Sequence, residues 1–335
     1  MTSTAAIPLA DQALADRLTT RLALVEEALR DAVAHADDLA DSASRHLVNA
    51  GGKRLRPLLT LLVAELGDGS RREVVDAAVV VELTHLATLY HDDVMDSAPL
   101  RRGAPSAHEV WGNSVAILTG DLLFARASAT VAGLGPEAVR IQARTFERLC
   151  LGQLHETVGP REGDDPVAHY LQVLADKTAS LLATSARLGA MFAGCTPSVV
   201  STVTEFGERI GVAFQLADDV IDLTSDGAQT GKTPGTDLRE RVPTMPVLLL
   251  RARCAGTDAT DEDRAVLARL DGDLSDDAAL AEAVAALRSH PVVDETRAQA
   301  VALAREAVAV LEPLPAGSVK DALVSFADAL VDRAS

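Results

Sequence analysis

The sequence predicts an all-α protein, and three features support that prediction. The 335 residues are 48% hydrophobic but only 3% aromatic, so a core must be built mainly from Ala, Leu and Val. Apolar residues recur at the spacing of amphipathic or buried helices. The chain has no train of short alternating segments of the kind that forms sheets. The length allows two domains but also one large one.

The net charge and the lack of evident sorting signals limit the expected binding partners and cellular location. A formal net charge of −18 argues against binding to nucleic acid or to an anionic lipid surface. No signal peptide is expected, and no apolar run reaches the roughly 18 residues that a membrane span needs. Cys150, Cys195 and Cys254 lack paired spacing. We therefore expect a reduced, cytoplasmic protein without a membrane anchor.

After two expected amphipathic helices, at 11–34 and 37–49, the segment GGKRLRP (51–57) precedes an apolar helix. The glycines allow a tight turn, and Pro57 suits the first position of the helix. Lys53 and Arg56 would then lie beside free helix amides, which predicts a phosphate or diphosphate site. The alternative is a basic surface loop.

Residues 79–96 are the most informative stretch, because their apolar residues cover more than one face of a helix. This predicts a buried helix, which ends in Asp92, Asp93 and Asp96 within an arc of about 100°. Such carboxylates need a cation, since closely spaced like charges are costly to desolvate. Oxygen ligands without cysteine favour a hard ion, and Mg²⁺ in particular if phosphate is present. The alternative is a solvated acidic helix end.

Residues 210–222 repeat this design, because an apolar helix there ends in Asp218, Asp219 and Asp222 at the same spacing. Two independent copies argue against a solvated helix end. They predict two carboxylate groups that share metal ions.

Three further segments carry cationic side chains. Arg101 and Arg102 either neutralise the first acidic group or hold phosphates that the metals bridge. Lys177 and Thr178 interrupt an apolar helix expected at 167–193, which indicates a site unless Lys177 is simply exposed. Residues 224–237 carry Lys232 in a loop that is one residue short of a P-loop and follows no strand, so we expect a lid instead. Four or five helices are expected at 243–333, where they would serve packing and subunit contacts.

The charges suggest a reaction. Six carboxylates and a diphosphate would carry about −9, which roughly three divalent cations would largely offset, with Lys177, Lys232 and Arg101 supplying the remainder. Such metals would activate the diphosphate as a leaving group. No Ser, Cys or His nucleophile is evident, so we expect ionisation in a dry cavity and capture by a second substrate. Lys53, Arg56 and Arg102 would hold that substrate without metal.

Together the motifs resemble those of the trans-isoprenyl diphosphate synthases, or polyprenyl synthetases, over about residues 45–250. The matching segments are GGKRLRP (51–57), LYHDDVMDSAPLRRG (89–103), GQLHE (152–156), KT (177–178), FQLADDVID (214–222) and GKTPGTDLRE (231–240). The resemblance implies one all-α domain around a deep cavity, and a homodimer. It also implies Mg²⁺-dependent, head-to-tail condensation of isopentenyl diphosphate onto an allylic diphosphate such as farnesyl or geranylgeranyl diphosphate.

The resemblance also implies roles for individual residues. The expected magnesium ligands are Asp92, Asp96 and Asp218, with Asp93, Asp219 and Asp222 completing the motifs. The residues expected to bind isopentenyl diphosphate are Lys53, Arg56, His85 and Arg102. Those expected to bind the allylic diphosphate are Arg101, Lys177, Thr178, Gln215 and Lys232. Arg241 departs from the pattern, because relatives often have glycine there, and this leaves the conformation of the lid open.

Two small residues bear on product length. Ala87 and Thr88 lie about one helical turn before Asp92, where short-chain relatives usually place bulky aromatic residues. We therefore expect an open tunnel and a product of C30 or longer, of the quinone side-chain type. The alternatives are a short-chain synthase, a terpene cyclase and a non-catalytic synthase subunit. The intact acidic motifs and GGKRLRP argue against the last two.

Overall fold

The computed structural model describes residues 9–224 and 234–331, and within these ranges it confirms the all-α prediction. The helices of the first half are α1 (Gln12–Ala32), α2 (Asp38–Asn49), α3 (Leu55–Ala64), α4 (Arg72–Met95), α5 (Ala107–Trp111), α6 (Asn113–Ala132), α7 (Pro136–Val158) and α8 (Pro166–Leu174). A π-helical turn (Ala175–Ala179) precedes α9 (Ser180–Phe192), α10 (Pro197–Thr224), α11 (Thr236–Arg239), α12 (Met245–Ala255), α13 (Asp261–Leu270), α14 (Asp277–Arg288), α15 (Pro291–Val310) and α16 (Ser318–Val331). Two antiparallel strands, β1 (Leu100–Arg101) and β2 (Ala104–Pro105), lie between α4 and α5 in the sequence.

The acidic composition helps to set where several helices begin. Aspartate side chains accept hydrogen bonds from backbone N–H groups in the first turn of α1, α2, α8 and α14, which would otherwise have no partner. These residues are Asp11, Asp37, Asp165 and Asp276. Part of the negative charge therefore has a structural role.

The described residues belong to two compact units. Unit 1 takes its residues from Met1–Leu149, Ser180–Glu208 and Val310–Phe326, and unit 2 takes its residues from Cys150–Ala179, Arg209–Ala309 and Ala327–Ser335. Each unit contains one of the two acidic motifs.

Unit 1 is built around α4, which packs against α1, α3, α6 and α9. Buried apolar residues occur on every side of α4, as the sequence predicts for an interior helix. The phenol of Tyr90 is also buried, and it donates a hydrogen bond to the carbonyl of Ala43 at 2.5 Å while accepting one from the Leu47 amide at 3.2 Å. This bond pair attaches α4 to α2 close to the first acidic motif.

In unit 2, α12 packs against α8 and α13, and α14 packs against α11 and α13. The core includes Tyr170 and Val173 from α8, with Ile210 and Leu216 from α10. These contacts hold the second acidic motif against α8.

Two helices correct the expectation that no segment is long and apolar enough for a membrane span. By length and composition alone, α4 and α6 both qualify. In α4, 72% of the apolar window is buried inside the protein, as expected for a core helix, whereas in α6 only 33% is buried. Apolar side chains of α6 therefore remain exposed, including Ile117 and Leu118.

Candidate active site

The first acidic motif lies at the C-terminal end of α4, and its three carboxylates have different environments. Asp92 is half-buried and Asp96 is exposed, whereas Asp93 is fully buried. Oδ1 of Asp93 accepts hydrogen bonds from Arg101, with an Nε to Oδ1 distance of 2.5 Å. Burial raises the pKa of Asp93 and the Arg101 guanidinium lowers it. Asp93 thus faces inward, while its neighbours remain accessible.

The arginines that follow belong to a β-hairpin rather than to an irregular turn. Leu100 pairs with Pro105 and Arg101 pairs with Ala104, which leaves Arg102 and Gly103 as a two-residue loop. Both loop residues have positive φ, 55° and 78°, as a type I′ turn requires. Arg101 contacts Asp93, whereas Arg102 contacts Gly51 and Gly52, which form the glycine loop before α3. Strands of two residues have too little periodicity to be recognised in the sequence.

The GGKRLRP segment makes a tight turn before α3, which begins at Leu55. Pro57 is therefore the third helical residue rather than the first, still within the turn whose N–H groups lack helical partners. Gly52 has a φ of 139°, and the guanidinium of Arg102 lies directly against it. A Cβ at position 52 would come within 2.7 Å of Cζ of Arg102. Only glycine fits both the backbone conformation and this contact.

Arg102 is held in place by the backbone around it. Its Nη1 donates hydrogen bonds to the carbonyl of Leu47 at 3.0 Å and to the carbonyl of Gly51. Its Nη2 lies 4.0 Å from Oε1 of Glu82, a residue of α4 that is only 1% exposed. These contacts fix the side chain of Arg102, a predicted binding residue, against the glycine loop.

A buried ion-pair network lies behind this loop. Arg54 is itself buried, and its Nε and Nη1 contact Glu26 at 2.5 Å and Glu82 at 2.7 Å. Its Nη2 donates to the carbonyl of Val48 at 3.1 Å. The sequence motifs indicate no role for Glu26, Arg54 or Glu82. The carboxylate of Glu82 within an apolar helix was the available signal, since a buried charge requires a partner.

Arg56 and His85 lie in the same cationic cluster as Arg102. Burial lowers the pKa of Arg56 to about 10, with Glu82 raising it and Arg102 lowering it. Burial, together with Arg56 and Arg102, brings the pKa of His85 well below its usual value. His85 is therefore neutral at physiological pH and can contribute a hydrogen bond but no charge. Lys53 is exposed on the loop.

The second acidic motif, at the end of α10 in unit 2, has the same pattern as the first. Asp219 is 2% exposed and accepts hydrogen bonds from the Tyr170 hydroxyl at 2.7 Å and from the Met245 amide at 3.1 Å. Asp218 and Asp222 are half-buried. Burial raises the pKa of Asp219 to about 8, although both hydrogen bonds lower it. The second aspartate of each motif is thus the inward one.

Lys177 and Thr178 occupy the π-helical turn, a distortion that often marks a functional site. Glycines of two neighbouring helices pack directly on its backbone. A Cβ on Gly152 would come within 2.7 Å of the backbone nitrogen of Lys177, and a Cβ on Gly211 would come within 2.4 Å of Cα of Ala179. Side chains in this position would push the helices away from the turn.

The side chains of this turn have polar partners in unit 2. Thr178 donates a hydrogen bond to Oε1 of Gln215 at 3.2 Å, so two residues assigned to the allylic diphosphate are in contact. Nζ of Lys177 forms an ion pair with Glu156. The assignment of Lys232 to the same substrate lies outside the described residues.

The structure places the two residues that bear on product length on α4 below Asp92. Ala87 is 1% exposed, and the Thr88 hydroxyl donates to the carbonyl of His85 at 2.8 Å. Both residues are small, and Thr88 has its polar group satisfied by its own helix. Neither residue therefore adds bulk or an unpaired hydroxyl to the turn of α4 before Asp92.

The residues of both motifs fit a divalent cation. Their donor atoms are carboxylate oxygens, which suit Mg²⁺, and each motif ends a helix, where the helix dipole adds negative charge. Oδ2 of Asp93 is buried without a hydrogen-bond partner. In residues 9–224 and 234–331, no three acidic, His or Cys side chains are close enough to form a ready metal site.

Comparisons with known proteins agree with this arrangement. The family model described as polyprenyl synthetase matches residues 37–287. A nonaprenyl diphosphate synthase of Mycobacterium tuberculosis is 44% identical over 329 residues, 97% of each chain.

Two solved structures are similar over nearly their whole length. One is a decaprenyl diphosphate synthase of Rhodobacter capsulatus, with a TM-score of 0.85, 32% identity and coverage of 97% of this chain and 99% of the other. The second is a geranylgeranyl pyrophosphate synthase of Corynebacterium glutamicum complexed with calcium and isoprenyl diphosphate, with a TM-score of 0.85, 40% identity and the same coverage. The chain therefore belongs to the polyprenyl synthetase family of prenyltransferases.

Proposed function

We propose that this protein is an all-trans polyprenyl diphosphate synthase that joins isopentenyl diphosphate head to tail to an allylic diphosphate. The observation that carries the proposal is the shared design of the two acidic motifs. Each ends a helix, turns its second aspartate inward and leaves the outer aspartates accessible. The outer residues, Asp92 and Asp96 in one motif and Asp218 and Asp222 in the other, would hold about three Mg²⁺ ions with the allylic diphosphate. Asp93 and Asp219 would support them from behind.

The reaction follows from the groups that hold each substrate. When bound, Mg²⁺ would neutralise the allylic diphosphate and make it a better leaving group. Lys177, Thr178 and Gln215, together with Arg101 and Lys232, would orient that diphosphate as the C–O bond breaks and its electron pair departs with the diphosphate. The double bond of isopentenyl diphosphate then forms the new C–C bond, and a proton is lost. The departing diphosphate is the base that we propose, since neutral His85 lies among arginines.

The metal-free site would be formed by Lys53, Arg56, His85 and Arg102 in unit 1. Three of these residues are cationic, which suits a diphosphate, and the backbone holds Arg102 in position before any substrate arrives. Preorganised donors of this kind lose little freedom when the substrate binds. This arrangement supports the assignment of isopentenyl diphosphate to this site.

A product of C30 or longer is the proposal that fits the small residues in the turn of α4 before Asp92. Ala87 and Thr88 would not block a growing chain, whereas aromatic residues would. Similarity to a nonaprenyl and to a decaprenyl diphosphate synthase supports a long product. Similarity to a geranylgeranyl pyrophosphate synthase favours a C20 product as the second candidate.

One assay tests the reaction and the product length together. Purified protein would be incubated with labelled isopentenyl diphosphate, farnesyl diphosphate and Mg²⁺, and the dephosphorylated products separated by chromatography. We expect linear products of C30 or longer, and no product in EDTA. A C20 product would leave the reaction intact but contradict the length. A cyclic hydrocarbon, or no transfer at all, would contradict the proposed function.

We further propose that the protein works in the cytoplasm as a homodimer, with residues 1–335 acting as one catalytic domain. The exposed apolar residues on and near α6 support a self-contact, because a second copy would remove them from water. These residues are Val110, Ile117 and Leu118. With a net charge of −18, repulsion from an anionic membrane surface argues against a membrane as their partner.

A further inference from the structure

Glu82 is a buried carboxylate to which neither the family motifs nor the proposed chemistry assigns a role. Its side chain is 2% exposed, and it lies on α4 one turn before His85. It contacts Arg54 at 2.7 Å, lies 4.0 Å from Nη2 of Arg102, and has the largest of the charge effects on the pKa of Arg56. One carboxylate therefore lies near two guanidinium groups and acts electrostatically on a third.

Arg54 does not by itself account for Glu82. Glu26 already pairs with Arg54, through contacts at 2.5 and 3.4 Å, and the carbonyl of Val48 accepts a further bond from it. Arg102 and Arg56 differ, since the nearby carboxylate common to both is Glu82. The position of Glu82 thus matters most for the two arginines assigned to the diphosphate.

Backbone strain in the cluster supports the same conclusion. Arg54 and Arg102 both adopt left-handed backbone conformations, with φ of 49° and 55°, which residues other than glycine rarely adopt. Such conformations persist only where surrounding contacts hold them. Glu82 lies between these two strained residues and is close to both. It therefore connects the glycine loop before α3 to the hairpin turn that carries Arg102.

Charge balance shows what Glu82 contributes. Lys53, Arg54, Arg56 and Arg102 bring four positive charges together, and without Glu26 and Glu82 they would repel one another. Glu82 holds the guanidinium groups together but leaves Nε of Arg56 buried without a hydrogen-bond partner. The cluster keeps a net positive charge that suits a diphosphate.

We propose that Glu82 is a positioning residue for the metal-free diphosphate site, which keeps Arg102 and Arg56 oriented toward isopentenyl diphosphate. This inference rests on the proposed function for the identity of the ligand. Loss of the Glu82 charge would let the guanidinium groups separate and move Arg102 off Gly52. The anion would then bind less tightly even though the site had become more positive.

The test compares Glu82→Gln with Glu26→Gln, because each variant removes one carboxylate from Arg54 and only the first removes the carboxylate that lies 4.0 Å from Arg102. Titration calorimetry with isopentenyl diphosphate in EDTA gives the dissociation constant, and steady-state kinetics give the KM of each substrate. For Glu82→Gln we expect the dissociation constant and the KM of isopentenyl diphosphate to rise at least tenfold. The KM of farnesyl diphosphate should stay within twofold. Glu26→Gln should change the dissociation constant and the KM of isopentenyl diphosphate less than threefold. Glu82→Asp should recover part of the affinity that Glu82→Gln loses.

Three results would overturn the inference: equal shifts in both glutamine variants, tighter binding by Glu82→Gln, or equal KM changes for both substrates. If Glu82→Gln does not fold, as judged by its melting temperature, Glu82→Met takes its place, because methionine has a similar length and no charge, and wild-type binding by that variant would refute the idea. Failure of the proposed function looks different. In that case the wild-type protein forms no prenyl product, whatever the variants bind.

Discussion

At the scale of single residues, the two acidic motifs share one arrangement, in which the second aspartate is buried and the outer aspartates are accessible. Asp93 is buried against Arg101, and Asp219 is buried against Tyr170 and the Met245 amide. Buried carboxylates that accept directed hydrogen bonds hold the end of a helix in one orientation. Their neighbours Asp92 and Asp218 then have fixed positions from which to meet a cation.

Arg241 illustrates how a departure from the family pattern can be explained by the backbone. Its φ is 59°, so the glycine that relatives often have there would relieve strain, and its exposed side chain makes one bond, to the Gly272 carbonyl at 3.2 Å. We predict that Arg241→Gly is more stable than Arg241→Ala by about 1 kcal/mol, since both variants lose the side chain and only the glycine loses the strain. Thermal denaturation should show a melting temperature about 2 °C higher for the glycine variant. Equal melting temperatures would show that position 241 is not strained.

At the scale of secondary-structure elements, α4 combines several roles in one helix. Its apolar residues form the centre of unit 1, Glu82 organises the arginines, and Asp92 and Asp96 lie at its end. The helix rise puts Ala87 about 7.5 Å before Asp92 along the axis of α4. The size of the side chain at position 87 is therefore expected to decide how far a product can grow along this helix.

We predict that Ala87→Phe shortens the product to less than C30 while transfer to farnesyl diphosphate continues. The added ring would fill the path of the chain, at a stability cost of about 1–3 kcal/mol for a larger side chain in a packed site. Product chromatography measures the length, and a melting curve checks the fold. Ala302→Phe is the matched control, because Ala302 is exposed on α15 and should leave product length unchanged. Unaltered products from Ala87→Phe would refute the tunnel assignment.

At the scale of the whole molecule, exposed apolar surface and net charge lead to different expectations about partners. A charge of −18 keeps copies apart in general, so a self-contact requires a specific apolar surface. Leu118 on α6 is 65% exposed, and Ile117 beside it is 41% exposed. A single exposed apolar residue is ordinary, but neighbouring exposed apolar residues on a largely apolar helix favour an interface.

We predict that Leu118→Glu converts a dimer into a monomer, because the new charge would be buried without a partner at the contact. Light scattering during size-exclusion chromatography should give twice the 35.0 kDa chain mass for the wild type and a single chain mass for the variant. Leu24→Glu on α1, where Leu24 is 47% exposed, is the control and should remain dimeric. A wild-type protein that elutes as a monomer would rule out the dimer proposal.

The sequence by itself determined the helical class, the two acidic motifs, the basic loop and the family. These features are local, since helix periodicity and motif spacing can be recognised within about twenty neighbouring residues. Lys177 and Thr178, which the sequence predicts to mark a site, lie in a π-helical turn whose geometry the sequence could not specify. The position of Pro57 was wrong by two residues, because helix ends depend on contacts outside the helix.

Only the tertiary structure decided which side chain of each motif faces inward and which charges are paired. Asp92 and Asp93 lie only about 100° apart on α4, too close for periodicity to separate them. Arg101 holds Asp93 inward by an ion pair. Tyr170 holds Asp219 inward by a hydrogen bond, although the two residues are 49 positions apart along the chain. The pairing of Glu82 with Arg54 likewise spans 28 residues. Such contacts depend on how helices pack in space, whereas spacing along the sequence describes each helix alone.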